Sequence, residues 1–195
     1  MLRHLLHTIL ISLFVVFCNP ISSSHATSLD VHDGQLYGAF GVEVDDILYD
    51  VTFIDASAME IWPDMQFTFT TSLSARLASQ ALLDNVFIGD YDNSPALTFG
   101  ISYPNWAAVW TPYAIDPTDP TRFYVGEAFN HSTNTMDRVF GAVRPPLSLD
   151  LSISSNAVYA EWTAVPEPTT LMLLGVGLLI MTILLRKRNQ SSISG

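Results

Sequence analysis

Val42-Glu43-Val44-Asp45-Asp46-Ile47-Leu48-Tyr49-Asp50-Val51-Thr52-Phe53 reads as two β-strands joined by a two-residue turn. Asp45-Asp46 sits where a tight hairpin demands the left-handed backbone region, which Asp tolerates better than most residues. Downstream, Met65-Gln66-Phe67-Thr68-Phe69-Thr70 alternates, with Met65, Phe67 and Phe69 on one face, and predicts a half-buried strand. The spacing then predicts a helix from Thr71-Ser72, where a hydroxyl caps free N–H groups, to about Asp84. Its apolar stripe is Leu73, Leu77, Ala78, Ala81 and Leu82, with Arg76, Ser79 and Gln80 opposite and Asn85 as a left-handed terminator. Further strands are expected at residues 97–102, 107–111, 122–129, 136–143, 147–153 and 157–162, and ordered loops at 89–95 and 111–120. The fold class is therefore mainly β: an antiparallel, sandwich-like domain with one helix seated on it.

Composition bounds what this domain does. Residues 27–164 are enough for one core, and they hold eighteen Asp or Glu against Arg76, Arg122, Arg138 and Arg144, a balance of −14. Nucleic acid is excluded as a partner on that ground, since phosphate binding needs a basic surface. Ahead of the domain, Arg3, the apolar run of residues 5–17 and Ser24-His25-Ala26 form a signal peptide, residues 1–26, with cleavage by signal peptidase after Ala26 during export. The alternative is an uncleaved N-terminal anchor. Cys18, the single cysteine, lies inside that peptide and follows Phe17, where lipidation needs a small side chain. The exported domain thus has neither disulfide nor thiol nucleophile.

Behind the domain, Val165-Pro166-Glu167-Pro168 precedes an uncharged stretch, residues 169–185, and then Arg186-Lys187-Arg188. Seventeen residues as a helix cover roughly 25 Å against a hydrocarbon core of about 30 Å, a short transmembrane span. The basic cluster holds the tail, residues 189–195, in the cytoplasm and leaves the domain outside. Pro166 and Pro168 remove two backbone donors and press Val165 and Glu167 toward extended geometry, so this segment cannot join the helix. It is a stiff, accessible strand bearing one carboxylate, suited to the cleft of a processing enzyme. From spacing alone, a plain juxtamembrane linker remains equally open.

Val165-Pro166-Glu167-Pro168, the short Leu- and Gly-rich span and the basic cluster resemble the PEP-CTERM sorting signal of Gram-negative bacteria that make exopolysaccharide. The resemblance implies recognition of Pro166, Glu167 and Pro168 by exosortase, an integral-membrane protease or transpeptidase, and retention by Arg186, Lys187 and Arg188. It further implies an inner-membrane precursor, a surface or secreted product, and association with exopolysaccharide or biofilm matrix. The extra residues 189–195 depart from the usual ending just after the basic cluster. Gly41-Val42-Glu43-Val44, residues 48–53, residues 78–84 and Thr111-Pro112-Tyr113 also resemble a group of PEP-CTERM ectodomains, which implies a shared fold and adds no chemistry.

Inside the domain no catalytic motif stands out. Asp90, Asp92 and Ser94 have the alternate spacing that opens Ca²⁺ loops, but Pro95 stands where an EF-hand needs Gly and no Glu follows at the twelfth position. A solvated acidic turn is the plainer reading. Only His32 and His131 remain after export, with no Cys, which gives no zinc spacing and no Gly-x-Ser-x-Gly elbow. His131, in Asn130-His131-Ser132-Thr133-Asn134, reads as an exposed loop residue. Trp62, Trp106, Trp110 and Trp162 with Tyr49, Tyr91, Tyr103 and Tyr113 could stack on sugars, although aromatic residues in β domains more often form core. The leading expectation is a non-enzymatic surface or matrix protein whose negative charge keeps it soluble. A carbohydrate-binding module and a small hydrolase are the alternatives. Solvent-facing aromatics gathered in a groove favour the first of these, and a cleft with two facing carboxylates the second.

Overall fold

The computed structural model describes residues 26–166 together with 175, 177–179, 181 and 182. The expected signal peptide, apart from Ala26, lies outside the described residues, as do Glu167, Pro168, Arg186, Lys187, Arg188 and the tail. Of the expected span, Gly175, residues 177–179, 181 and 182 are described, and they are helical. Among the described residues no helix is long and apolar enough to cross a membrane.

Seven strands are described: β1 (Ser28–His32), β2 (Gln35–Val44), β3 (Ile47–Ile54), β4 (Trp106–Ile115), β5 (Phe123–His131), β6 (Arg138–Val143) and β7 (Ala157–Ala164). They form one mixed sheet in the order β1-β2-β3-β7-β4-β5-β6. The sandwich expectation is thereby corrected to a single sheet, and the purely antiparallel one to a sheet with a parallel pair. The reason is β7. Two antiparallel meanders, β1–β3 and β4–β6, are stitched edge to edge by the last strand, which pairs antiparallel with β3 from Tyr49↔Ala164 to Ile54↔Tyr159. On its other side it runs parallel to β4 at Ala108↔Ala157, Val109↔Val158 and Trp110↔Tyr159. Ala157, Val158, Tyr159 and Ala160 are all buried, as a central strand covered on both faces requires.

The quoted hairpin forms as expected, with Val44 opposite Ile47 and Asp45 and Asp46 at φ 52° and 63°. A second two-residue turn, Asp33-Gly34 at φ 50° and 80°, joins β1 to β2 and adds an edge strand ahead of Leu36.

Helix α1 (Ser72–Asn85) is capped by Thr71, whose side chain accepts from the Ser74 amide. Its buried face is Ala75, Ala78, Ser79, Ala81 and Leu82, whereas Leu73 and Leu77 are 68% and 38% exposed. The predicted stripe is thus rotated toward the small residues. Close approach explains the rotation: a Cβ on Gly126 of β5 would lie 2.8 Å from the Ala75 carbonyl oxygen. Ser79 is tolerated in that contact because its hydroxyl donates back to the Ala75 carbonyl. Asn85 stays inside the helix, which ends at Val86 in ordinary right-handed geometry rather than in the left-handed region. We expect Gly126→Ala to cost about 1–3 kcal/mol through overpacking, read as a lowered urea midpoint at unchanged slope.

Residues 65–70 join no ladder, and the face expected to be shared by Met65, Phe67 and Phe69 does not form, because Phe67 and Phe69 pack in different clusters. Beyond Tyr159, β7 parts from β4, and this segment passes through the gap, Thr68 donating to the Trp162 carbonyl. Phe67 lands on one face of the sheet against Trp62 and Phe123, and Phe69 on the other against Tyr49 and Trp162. The chain so crosses from the one-turn helix Ala58–Ile61 to α1. The expected strand at 97–102 reduces to a single bridge, Leu36↔Thr98, and that at 147–153 to a loop ending in the 3-10 turn Leu151–Ile153. Conversely, residues 111–115 continue β4 instead of starting a loop. Pro112, which lacks an N–H, fits there because β7 has already separated and the register slips between Pro112 and Ala114.

Candidate functional site

The alternation of β4 sends Ala107 and Val109 to the helix side, and Trp106, Ala108 and Trp110 to the opposite face. Cross-strand register builds the rest of that second face. Ala157, Ala108 and Phe129 form one row, and Tyr159, Trp110, Glu127 and Phe140 the next. The small pair Ala108 and Ala157 leaves a depression between the two indoles. Loop residues 149–156 stand over it as a wall, enclosing a cleft of about 490 Å³ that includes Asp150, Ile153, Ser154 and Asn156.

Two carboxylates face this cleft from different elements. Glu127, half-buried on β5, accepts from the Trp110 indole N–H at 2.8 Å. Burial pushes its carboxyl above the usual glutamate range, and the indole bond partly offsets that. Asp150 caps the 3-10 turn by accepting from the Ser152 amide, and the Ser152 side chain and amide together hold its carboxyl below the usual range. Its charge in turn raises two neighbours: Asp55, pushed up first by burial, and the Tyr159 phenol, also pushed up mainly by burial. Each carboxylate therefore already serves as a fixed acceptor, one for an indole and one for a turn.

A raised Glu127 has a consequence for stability. The stabilisation it carries is complete below the ordinary glutamate value and is lost as pH rises through the higher folded one. Glu127→Gln keeps an acceptor for Trp110 and removes the charge. Its melting temperature is expected to exceed that of the parent at pH 7 and to converge with it near pH 4, in a thermal scan series across that range.

The calcium candidates do not converge. Asp90, Asp92 and Ser94 fall on and just after the one-turn helix Asp90–Asn93, and positions two apart on a helix face different ways. Asp90 and Ser94 are exposed, whereas Asp92 is 8% exposed and meets Asp137 through a side-chain hydrogen bond. Burial chiefly raises the Asp137 carboxyl, the His131 backbone amide opposes this, and Asp92 adds to it. Among the described residues no group of three His, Cys, Asp or Glu is placed to hold a metal ion. His131 is the last residue of β5 and half-buried rather than in a loop, its Nδ1 accepting from the Thr133 amide. His32 pairs with Asp30 at 2.9 Å on the edge strand.

Of the sorting residues, Val165 and Pro166 are described. The Val165 amide donates to the Leu48 carbonyl, adding a last rung beside β3, and Pro166 is exposed just beyond. Ala26 is likewise exposed, two residues before β1. Trp106 and Trp110 were named in sequence as candidate sugar-stacking residues, but their grouping in one cleft was not. Its detectable signal was the Trp106-x-Ala108-x-Trp110 alternation, which places both indoles on one face.

Residues 164–188 match the PEP-CTERM protein-sorting motif. The chain carries that motif, which supports an exosortase-targeted surface protein that begins as a membrane-anchored precursor. No curated protein and no solved structure matches the chain.

Proposed function

We propose that this chain, which carries a PEP-CTERM protein-sorting motif at residues 164–188, is a non-enzymatic exported protein that exosortase cuts near residues 165–168 and delivers to the cell surface or the extracellular matrix. The observation that carries this reading is the junction. The sheet ends at Ala164, where the matched motif begins, so the domain hangs from its sorting signal with no intervening linker. A domain tethered so closely stays against the membrane until the tether is cut. Pro166 then terminates strand pairing and leaves Glu167 as the sole charge between Glu161 and Arg186. Signal peptidase and the export machinery act first, at Ala26, and the precursor sits in the inner membrane with its domain outside the cytoplasm. The product belongs with exopolysaccharide or biofilm matrix. The acidic balance of −14 in residues 27–164 keeps it soluble there. Intact-mass analysis of exported protein from an exosortase-bearing host tests the proposal. The expected mass lacks both residues 1–26 and the basic cluster, and a product retaining Arg186, Lys187 and Arg188 refutes it.

A further inference from the structure

We infer that the cleft between Trp106 and Trp110 binds a neutral polysaccharide chain, one sugar ring lying on each indole. The two residues are four positions apart on β4, so at about 3.3 Å per residue their side chains stand roughly 13 Å apart on one face. The floor between them is Ala108 and Ala157, too small to obstruct a ligand. A sugar ring offers an apolar C–H face to an aromatic plane and a rim of hydroxyls at its edges. The cleft offers the complement: the Trp106 and Trp110 indoles line it, Trp106 backed by Phe129, and Glu127, Asp150, Ser154 and Asn156 stand around them. Trp110 and Glu127 are tied by their hydrogen bond, and Asn156 is oriented by the Ser154 hydroxyl, so little ordering is needed on binding.

Other occupants fit less well. Two carboxylates in the cleft, within a domain of charge −14, repel an anionic polymer. An apolar peptide or lipid would cover the half-buried Glu127 carboxylate without adding a donor beyond the Trp110 indole, at a desolvation cost that a polyol avoids by supplying O–H groups. The inference rests on the cleft alone and stands whether or not the C-terminus is processed.

The test uses the full chain in a detergent without sugar headgroups, on an array of neutral glycans built from glucose, galactose, mannose and N-acetylglucosamine. Alginate and chitosan serve as anionic and cationic controls, at 0.5 M salt to screen non-specific attraction to the acidic domain. Retention of at least one neutral glycan is expected, with a shift in tryptophan fluorescence on titration. Trp106→Ala should weaken it about tenfold, as loss of one stacked aromatic contact implies. Ile153 on the wall is 83% exposed, so Ile153→Asp leaves the fold intact and should weaken binding severalfold. Absence of any neutral ligand, retention of charged polymers alone, or affinity unchanged in both variants overturns the inference.

Discussion

Replacing Glu167 with alanine is expected to leave the full-length chain in the membrane fraction while the parent is cut and leaves it. The argument is one of isolation. From Trp162 to Leu185 Glu167 is the single charged residue, and prolines on both sides fix the backbone that presents it. An enzyme that reads this stretch has one charge to recognise and one geometry in which to meet it. Loss of a hydrogen bond to a charged group is worth about 1.5–3 kcal/mol, so processing should fall by roughly ten- to a hundredfold. Glu161→Ala is the control. Its side chain is only half-buried, it lies within β7 and precedes the matched residues, so cutting should continue unchanged. Quantitative blotting of membrane and released fractions measures both. Equal release from the Glu167 variant would remove the recognition role assigned to it.

What the sequence made legible follows the range of the interactions. The hairpin at Asp45-Asp46 was readable because two left-handed residues and their flanking runs are local facts. Asp33-Gly34 carried the same kind of signal, but the edge strand β1 it joins was not among the expected strands. The helix was readable in extent but not in orientation. Leu73 and Leu77 dominate a hydrophobic count, yet the sheet beneath comes so near at Gly126 that Ala75, Ala78 and Ser79 are the residues that fit. Residues 65–70 show the limit of alternation as a signal, since the spacing puts Phe67 and Phe69 on one face, whereas a segment crossing a gap between strands delivers them to opposite faces of the sheet. The cleft was half legible. Trp106 and Trp110 share a face by spacing alone, but the floor needs Ala157 beside Ala108, and that parallel pair joins residues nearly fifty positions apart. The acidic trio stays apart for a local reason: Asp90 and Asp92 sit on a helical turn, where alternate spacing separates side chains rather than gathering them.

Tyr159→Ala is expected to be the most damaging single substitution in the domain. Tyr159 is fully buried on the central strand, with ring contacts to Trp62 at 5.5 Å, Trp110 at 5.9 Å and Phe123 at 6.0 Å. It also occupies the point where β7 leaves β4, opposite both Ile54 and Trp110, so the residue joins the two meanders. Truncating a buried aromatic side chain costs about 3–5 kcal/mol, against a total stability of about 5–15 kcal/mol for a domain of this kind. The variant should unfold at a much lower urea concentration, with the cleft lost alongside. Tyr159→Phe separates packing from hydrogen bonding. The phenol reaches the Leu149 carbonyl only at 3.5 Å, a long contact, so its removal should cost no more than about 1 kcal/mol. Truncation after Pro166 provides the third arm. It keeps all of β7 and the Val165 rung on Leu48, so its midpoint should match that of the intact chain, while deletion of residues 157–164 should abolish folding. A cut placed beyond Pro166 therefore frees the domain without loosening the strand that holds its halves together, and a Tyr159→Ala variant as stable as Tyr159→Phe would show that the halves are joined elsewhere.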